Sequence, residues 1–263
     1  MPARDWPVEV SAVFIRWMKK TLRRPAFLFF SLVQPVVWFL LFTQAFQSVS
    51  NVPGFQQMTG TSSYLTFFSA AVILQTVIAS AMQSGMGMVT DLESGYMDKM
   101  RVAPIRRSSI LLGKVLSDGV RIVLQTIVIV VLAFVLGVTF ASGIGGLVIL
   151  LAISMAFGVA WSGLSTFIAL ATRNSEATLM ISIITTFPLL FLSTAVMPKP
   201  LLPAWVQTAA DLNPYSYIAA AFQALIIHGF DWGAIGVALL VTLALGAVTL
   251  GATTAMFRRA VSG

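Results

Sequence analysis

Six apolar stretches, each about as long as a lipid bilayer core is thick, punctuate this 263-residue chain. They run approximately from Ala26 to Val49, Tyr64 to Val89, Ile122 to Phe140, Ile144 to Ala171, Ala177 to Met197 and Trp232 to Phe257. A hydrocarbon layer of about 30 Å takes about 20 residues of helix, and lipid offers no partner to open backbone N–H and C=O groups. The sequence therefore predicts an all-α integral membrane protein with six transmembrane helices. A further apolar segment, Tyr215 to Ile227, is too short to cross and follows the breakers of "DLNPYS", so it reads as re-entrant or interfacial. The first run exceeds a signal-peptide core of roughly 7 to 15 residues and is expected to stay as a helix.

Charge orients these spans. Of 16 Lys and Arg, six crossings place all but Lys199 on one side. By the positive-inside rule both termini are cytoplasmic. The expected organisation is a cytoplasmic N-terminal helix over residues 1–25, a transmembrane domain over 26–257 and a cytoplasmic tail over 258–263. The formal charge of +7 flanks apolar runs instead of covering a soluble surface, which argues against nucleic acid as a partner. The absence of cysteine and the single histidine, His228, argue against a metal site.

In "VEVSAVFIRWMKKTLRR", Val8 to Arg24, helical spacing gathers Glu9, Arg16, Lys19, Lys20, Arg23 and Arg24 within an arc of about 140°. Val10, Phe14, Ile15, Trp17, Met18 and Leu22 take the other side. The pattern predicts an amphipathic helix on the inner leaflet with Trp17 at headgroup depth, either a basic topogenic flank or a helix that also touches a partner.

The predicted spans hold glutamines (Gln34, Gln44, Gln75, Gln83, Gln125) and hydroxyls but almost no ionisable side chain, which disfavours a proton- or ion-coupled carrier. No activated nucleophile is legible: "WSG" at Trp161–Gly163 lacks the preceding glycine of a nucleophile elbow, and no catalytic residue is assigned. Gly113–Lys114 has neither the upstream glycine nor the following hydroxyl of a phosphate-binding loop. The chain is not expected to be an enzyme on its own, so any ATP-derived work must enter through a partner.

The candidate entry point is "TDLESGYMDKMRVAPIRR", Thr90 to Arg107. Thr90 and Glu93 have capping-box spacing, predicting a fresh short helix from Thr90 or Asp91 that Pro104 ends. Ser108 or Ser109 is expected to cap the helix that follows, along which Lys114, Asp118 and Arg121 form one charged stripe able to pair. A topogenic loop would want Lys and Arg but has no use for Asp91, Glu93 and Asp98. Mixed charge beside Tyr96 and Met100 fits a protein-docking surface.

"DLESGYMDKMRVAPIRRSSILLGKVLSD" resembles the cytoplasmic segment between spans two and three of type-2 ABC exporter permeases, in particular the daunorubicin-resistance permease group. "RRPAFLFFSLVQPVVWFLLF" in span one and "MPKPLLPAWVQTAADLNPYSY" after span five are similar to the same family in order and spacing. One departure is "FFSAAVIL" in span two, where many members carry Pro-Gly. The resemblance implies a coupling helix around residues 90–104 seated in a separate nucleotide-binding ATPase subunit, with ATP and Mg bound there and no cofactor in this chain. It implies two permeases, as a homodimer or with a paralogue, in a prokaryotic cytoplasmic (inner) membrane. The ATPase-coupling residues would be Asp91, Glu93, Gly95, Tyr96, Asp98, Lys99, Met100, Arg101, Pro104, Arg106 and Arg107.

The same resemblance implies two short re-entrant helices in an outer segment over residues 198–228. Pro203, Trp205, Asn213 and Pro214 are the outer-gate candidates, against a plain rigid loop pinned by Trp205. Gln34, Trp38, Phe42 and Gln44 in span one, with Thr185, Phe187 and Phe191 in span five, are the pathway candidates, since aromatic and amide groups without charge suit amphipathic molecules. The expected function is the permease of an ATP-driven exporter of hydrophobic or amphipathic compounds, drug-like molecules or lipids. A polysaccharide or glycolipid permease on the same scaffold and a non-transporting membrane scaffold are the alternatives.

Overall fold

The computed structural model describes residues 6–23, 25–96 and 105–262, and every regular element among them is helical. In chain order these are α1 (Trp6–Leu22), α2 (Pro25–Ala45), α3 (Phe55–Thr59), α4 (Tyr64–Glu93), α5 (Arg107–Val135), α6 (Gly143–Thr172), α7 (Ser175–Phe191), α8 (Ala204–Leu212), α9 (Pro214–Gln223) and α10 (Trp232–Ser262). α2, α4, α5, α6, α7 and α10 alternate in direction between two ends. At one end α1 meets the end of α4, the start of α5 and the ends of α6 and α10, around Trp17, Met88, Ile110, Leu170 and Phe257. This charged end contrasts with a far end built from α3, α8 and α9.

Among the described residues, four stretches are long and apolar enough to cross a membrane: Phe55–Glu93, Ser108–Val135, Gly143–Thr172 and Trp232–Phe257. The apolar stretches Ser31–Ala45 of α2 and Ser175–Phe191 of α7 are shorter. α4 is the central helix, and its residues from Phe67 through Ile78 are all buried. A helix apolar on every side is the one that neighbours can surround.

α9 enters this packing from the far end. Tyr215, Ile218, Ala219, Ala221 and Phe222 are fully buried, and the Tyr215 ring meets Trp161 edge-on at 5.1 Å. The Asn-Pro pair explains the entry. Pro214 opens the helix, where a missing N–H costs nothing, and Asn213 Oδ1 accepts from Tyr215 N at 3.0 Å. The Asn213 amide donates to Leu189 O (2.5 Å) and Leu192 O (2.9 Å), so one side chain caps the start of α9 and closes the end of α7. Beyond α9 the chain widens into a π-helical turn, Ala224–His228, whose Leu225 and Ile226 carbonyls accept from the backbone of Ser142 and Ala141.

Several expectations are corrected. The helix expected to lead into span three from Ser108 or Ser109 is one helix with that span, running from Arg107 to Val135, so the apolar stretch long enough to cross starts at Ser108 and not Ile122, ends at Val135 and not Phe140, and its charged stripe is buried. The fifth ends at Phe191, not Met197, since Leu192–Val196 turn back under Asn213 and Ser216. Helix α10 runs through Ser262, so the expected tail over 258–263 is helical as far as residue 262. Gly158 and Gly163 bring helices together, since a Cβ at either would crowd Ile122 and Val77 or Thr249 and Leu250, whereas Gly236 and Gly251 face open space.

Candidate functional site

The charged stripe of α5 sits inside the bundle. Lys114, Asp118 and Arg121 are 3%, 2% and 8% exposed, although they belong to a helix apolar enough to span a membrane. Helical spacing puts all three on one face, and Asp118 lies between the two cations: Lys114 Nζ at 2.8 Å, Arg121 at 3.0 Å. The rest of the shell comes from α4. Ser84 Oγ donates to Asp118 at 2.5 Å, and Arg121 donates to the Ser80 carbonyl at 2.9 Å. Lys114 reaches Ser84 as well, and Ser84 touches the Thr166 hydroxyl on α6 at 3.2 Å. Buried charges are tolerated only when paired and hydrogen-bonded, and these meet that condition.

The helices carrying this shell approach closely. A side chain at Gly85 would collide with the Ser165 backbone, and the Ser165 hydroxyl spans the contact, donating to Met82 O and accepting from Gly85 N. A Cβ at Gly113 would lie 2.8 Å from Val13 Cβ and 2.9 Å from Val10 O, so glycine there seats α1 directly on α5.

α1 completes the network. Val10, Val13 and Trp17 are buried, and Trp17 packs over Gly87 with Lys114 Nζ 5.2 Å from its ring centroid. Trp17 faces the fold: the residue is 7% exposed, with Lys20 also against its ring at 4.7 Å. Part of the polar arc turns inward beside it. Arg16 grips Asp91 with two hydrogen bonds, at 2.9 and 3.2 Å, and Lys20 reaches the same carboxylate at 2.7 Å. Planar bidentate pairing is the strong form of such contacts. The Arg16 guanidinium also stacks 3.3 Å from the Tyr96 ring centroid.

Glu9 supplies a cap that the sequence reading assigned elsewhere. Its carboxylate accepts from Arg106 N at 3.1 Å and Ser109 Oγ at 2.6 Å, at the N-terminus of α5, where Arg106 makes no side-chain cap. Neither Ser108 nor Ser109 caps the helix; α1 does so from outside. These two bonds, with Arg106 nearby, hold the Glu9 carboxyl below its ordinary range.

The coupling candidates divide accordingly. Thr90 does not begin a new helix: its hydroxyl donates to Met86 O, α4 continues through Glu93, and the turn comes at Ser94–Gly95, with φ +64° at Gly95. Asp91 is 3% exposed and held by α1, Tyr96 lies under Arg16, and Glu93 is exposed. Arg107 begins α5. Asp98, Lys99, Met100, Arg101 and Pro104 lie outside the described residues.

Four pathway candidates meet. Trp38 stacks on Phe42 at 4.6 Å and touches Phe187 and Phe191 at 5.7 and 6.1 Å, joining α2 to α7. Gln34 and Gln44 are exposed on α2, and the Thr185 hydroxyl donates to Ile181 O of its own helix. At the far end Pro203 precedes α8 and Trp205 is 68% exposed, whereas Asn213 and Pro214 form the helix junction described above. His228 is exposed and lies over Gly60.

Sequence reasoning found the Lys114–Asp118–Arg121 stripe but missed its burial, and missed Glu9, Arg16, Lys20, Ser80 and Ser84 as its partners and neighbours. The available signal was serine recurring at Ser80 and Ser84 on α4, one turn apart.

An all-helical chain with several bilayer-length apolar helices and a paired, buried ion network at one end has the build of a multi-pass membrane protein. The chain belongs to the ABC-2 type transporter family, whose model matches residues 8–227. It is similar to the daunorubicin resistance ABC transporter permease protein DrrB1 of Streptomyces coeruleorubidus, 27% identical over 98% of this chain and 89% of that one. A Porphyra purpurea protein, ycf38, that carries a transport-permease name is 30% identical over 85% of this chain and 75% of its own. A Mycobacterium tuberculosis protein named as a doxorubicin resistance ABC transporter permease, DrrC, is 23% identical over 60% of this chain and 57% of its own.

Proposed function

We propose that this chain is the membrane subunit of an ATP-driven exporter of hydrophobic or amphipathic compounds, drug-like molecules or lipids. It crosses a prokaryotic cytoplasmic membrane six times with both ends inside, and pairs with a second permease and with separate ATPase subunits that hold ATP and Mg. The observation that carries this reading is the pair of ion clusters at one end of the bundle, Arg16 and Lys20 on Asp91 between α1 and α4, and Lys114, Asp118 and Arg121 of α5 against Ser80 and Ser84 of α4, with the Trp17 ring between Lys20 and Lys114. The described chain on either side of residues 97–104, residues 94–96 and 105–107, adjoins this block. A push received there would reach α4 through Asp91 and α5 through its first turn, which Glu9 of α1 holds. Relatives named for daunorubicin and doxorubicin resistance support an exporter of amphipathic compounds.

In this mechanism exposed Glu93, with Asp98, Lys99 and Arg101, meets the ATPase, while Asp91 and Tyr96 hold the segment to α1. Gly95 gives the turn its left-handed backbone. Trp38, Phe42, Phe187 and Phe191 line the path on the face of α2 and α7 that two permeases share, with Gln34 and Gln44 at its edge. Trp205 stands at the outer gate. The test is charge reversal at the docking surface: Glu93→Lys and Asp98→Lys should insert normally yet lose copurifying ATPase subunit or export. Normal assembly and export in both variants would refute the docking assignment.

A further inference from the structure

Helices α6 and α10 lie against each other and leave an open groove of about 700 Å³ along their contact. Small residues make it: Ala156 and Ala160 on α6, Gly246, Ala247 and Gly251 on α10, with Thr242 at one end. The helices come close at Gly246, where a Cβ would lie 3.5 Å from Ala160 Cβ, whereas nothing lies within 4 Å of a Cβ at Gly251. Leu243, on the rim, is 68% exposed. The groove thus opens sideways along the apolar stretch Trp232–Phe257, and no charged side chain lines it. Thr242, Thr249 and Thr253 share one face of α10 by helical spacing. Thr249 donates to Ala160 O and Thr253 to Gly163 O, both at 2.7 Å, and these bonds tie α10 to α6. Thr242 makes no such bond. It is 4% exposed, and its hydroxyl has no hydrogen-bond partner among the described residues. A buried hydroxyl without a partner is unfavourable, and a hydrocarbon layer supplies no water to take it.

We infer that this groove binds an uncharged, membrane-soluble carbonyl compound, which enters sideways from the bilayer and accepts a hydrogen bond from the Thr242 hydroxyl. The lining requires neutrality, because a charge placed in it would meet no counter-charge. Its volume lies within the range of small-molecule sites, about 300–1,000 Å³. The other hydroxyls of this part of α10, on Thr249, Thr253 and Thr254, all donate to carbonyl oxygens, so the partner that Thr242 lacks is an acceptor of the same kind. Depth excludes the polar groups of ordinary phospholipid: Thr242 lies about 15 Å along the helix from Trp232, where the apolar stretch begins. Acyl chains fill the rest of the groove but offer nothing to that hydroxyl. The inference concerns binding alone and involves neither the ATPase subunit nor the aromatic cluster of α2 and α7.

The chain has no cysteine, so Gly251→Cys carries a single trifluoromethyl label in the groove. Gly236→Cys, which also faces open space but lies outside the lining, carries the control label. The full chain is reconstituted into phosphatidylcholine nanodiscs, and fluorine NMR follows titration with fluorenone or with fluorene, the same ring skeleton without its oxygen. Fluorenone should shift the Gly251 label saturably and leave the Gly236 label unmoved. One hydrogen bond between neutral groups corresponds to about a three- to tenfold preference for fluorenone over fluorene at equal concentration in the lipid. Thr242→Val, nearly equal in shape, should remove that preference without lowering the unfolding temperature of the unliganded protein, since the hydroxyl it deletes has no partner in the chain. Thr242→Ser should keep the preference, and Ala247→Phe should exclude both compounds. Absence of a saturable shift at Gly251 overturns the inference, as do equal shifts at both labels or a preference that survives Thr242→Val. A Gly251 signal that ignores fluorenone but differs between nanodiscs holding one and two copies overturns it too, assigning the groove to a second chain. Each of these outcomes leaves the proposed export function untouched.

Discussion

Asp118 is the side chain on which the inner network balances. It pairs with Lys114 and Arg121 at once, and Asp118→Asn would leave two buried cations facing one neutral amide. Breaking a buried pair in this way costs about 3–5 kcal/mol. The expected outcome is a marked fall in the thermal unfolding temperature of the purified permease. Adding Lys114→Met should recover part of the loss, since it removes one orphaned charge; a double variant no more stable than the single would count against this account. Glu9 offers a milder test at the same scale. Its pKa in the fold lies below the ordinary 4.5, so its contribution is present above that value and is lost as pH falls through the lowered pKa. Hydrogen exchange of the α1 amides, corrected for intrinsic rates, should accelerate as pH drops below about 4.5. In Glu9→Gln the acceleration should already be present at neutral pH.

Among the elements, the junction of α7, α8 and α9 hangs on Asn213, which works as acceptor and donor at once. Aspartate matches asparagine as an N-cap but has no N–H to give, and would set a carboxylate against the Leu189 and Leu192 carbonyls. Asn213→Asp should therefore be at least as harmful as Asn213→Ala. The alanine change should cost about 1 kcal/mol for the cap and about 1–3 kcal/mol for each buried carbonyl left unpaired. Comparing the two melting temperatures checks this: an aspartate variant close to wild type would mean that only the N-cap matters. At the opposite end, α1 is held by shape as well as charge. Gly113→Leu would drive side-chain atoms into Val10 and Val13 and should release α1, making its amides exchange faster while α4 remains protected.

For the whole molecule, the prediction concerns assembly. With Trp205→Cys as the single cysteine, two copies should crosslink across the outer face. The yield should change with the nucleotide state of the ATPase subunit. A yield indifferent to nucleotide would remove Trp205 from the gate, though not from the interface. Trp205 and the exposed Leu212 lie on the same short helix, α8, which presents both outward.

Much of this architecture was legible as a string. Apolar runs, breakers and the one-sided placement of Lys and Arg announce a helical membrane protein, because a bilayer rewards only satisfied backbone and long apolar segments. The breakers of "DLNPYS" marked where a short apolar segment begins, and the family resemblance implied the short helices of the far end. What a string could not decide was which polar side chains meet. Lys114, Asp118 and Arg121 were legible as one stripe on a helix, but not as buried, because hydropathy weighs residues singly and their burial is offset only when Ser84 and Ser80 arrive from a helix some 30 to 40 residues away. Thr90 and Glu93 fit a capping box, yet α4 passes through them, since Asp91 gains more from Arg16 and Lys20 than the chain would from a break. The sequence by itself determined the apolar helices and the end at which charge collects. Only the tertiary structure decided that this charge closes on itself into a network joining α1, α4 and α5, because pairing across helices depends on how closely Gly85, Gly87 and Gly113 let them approach.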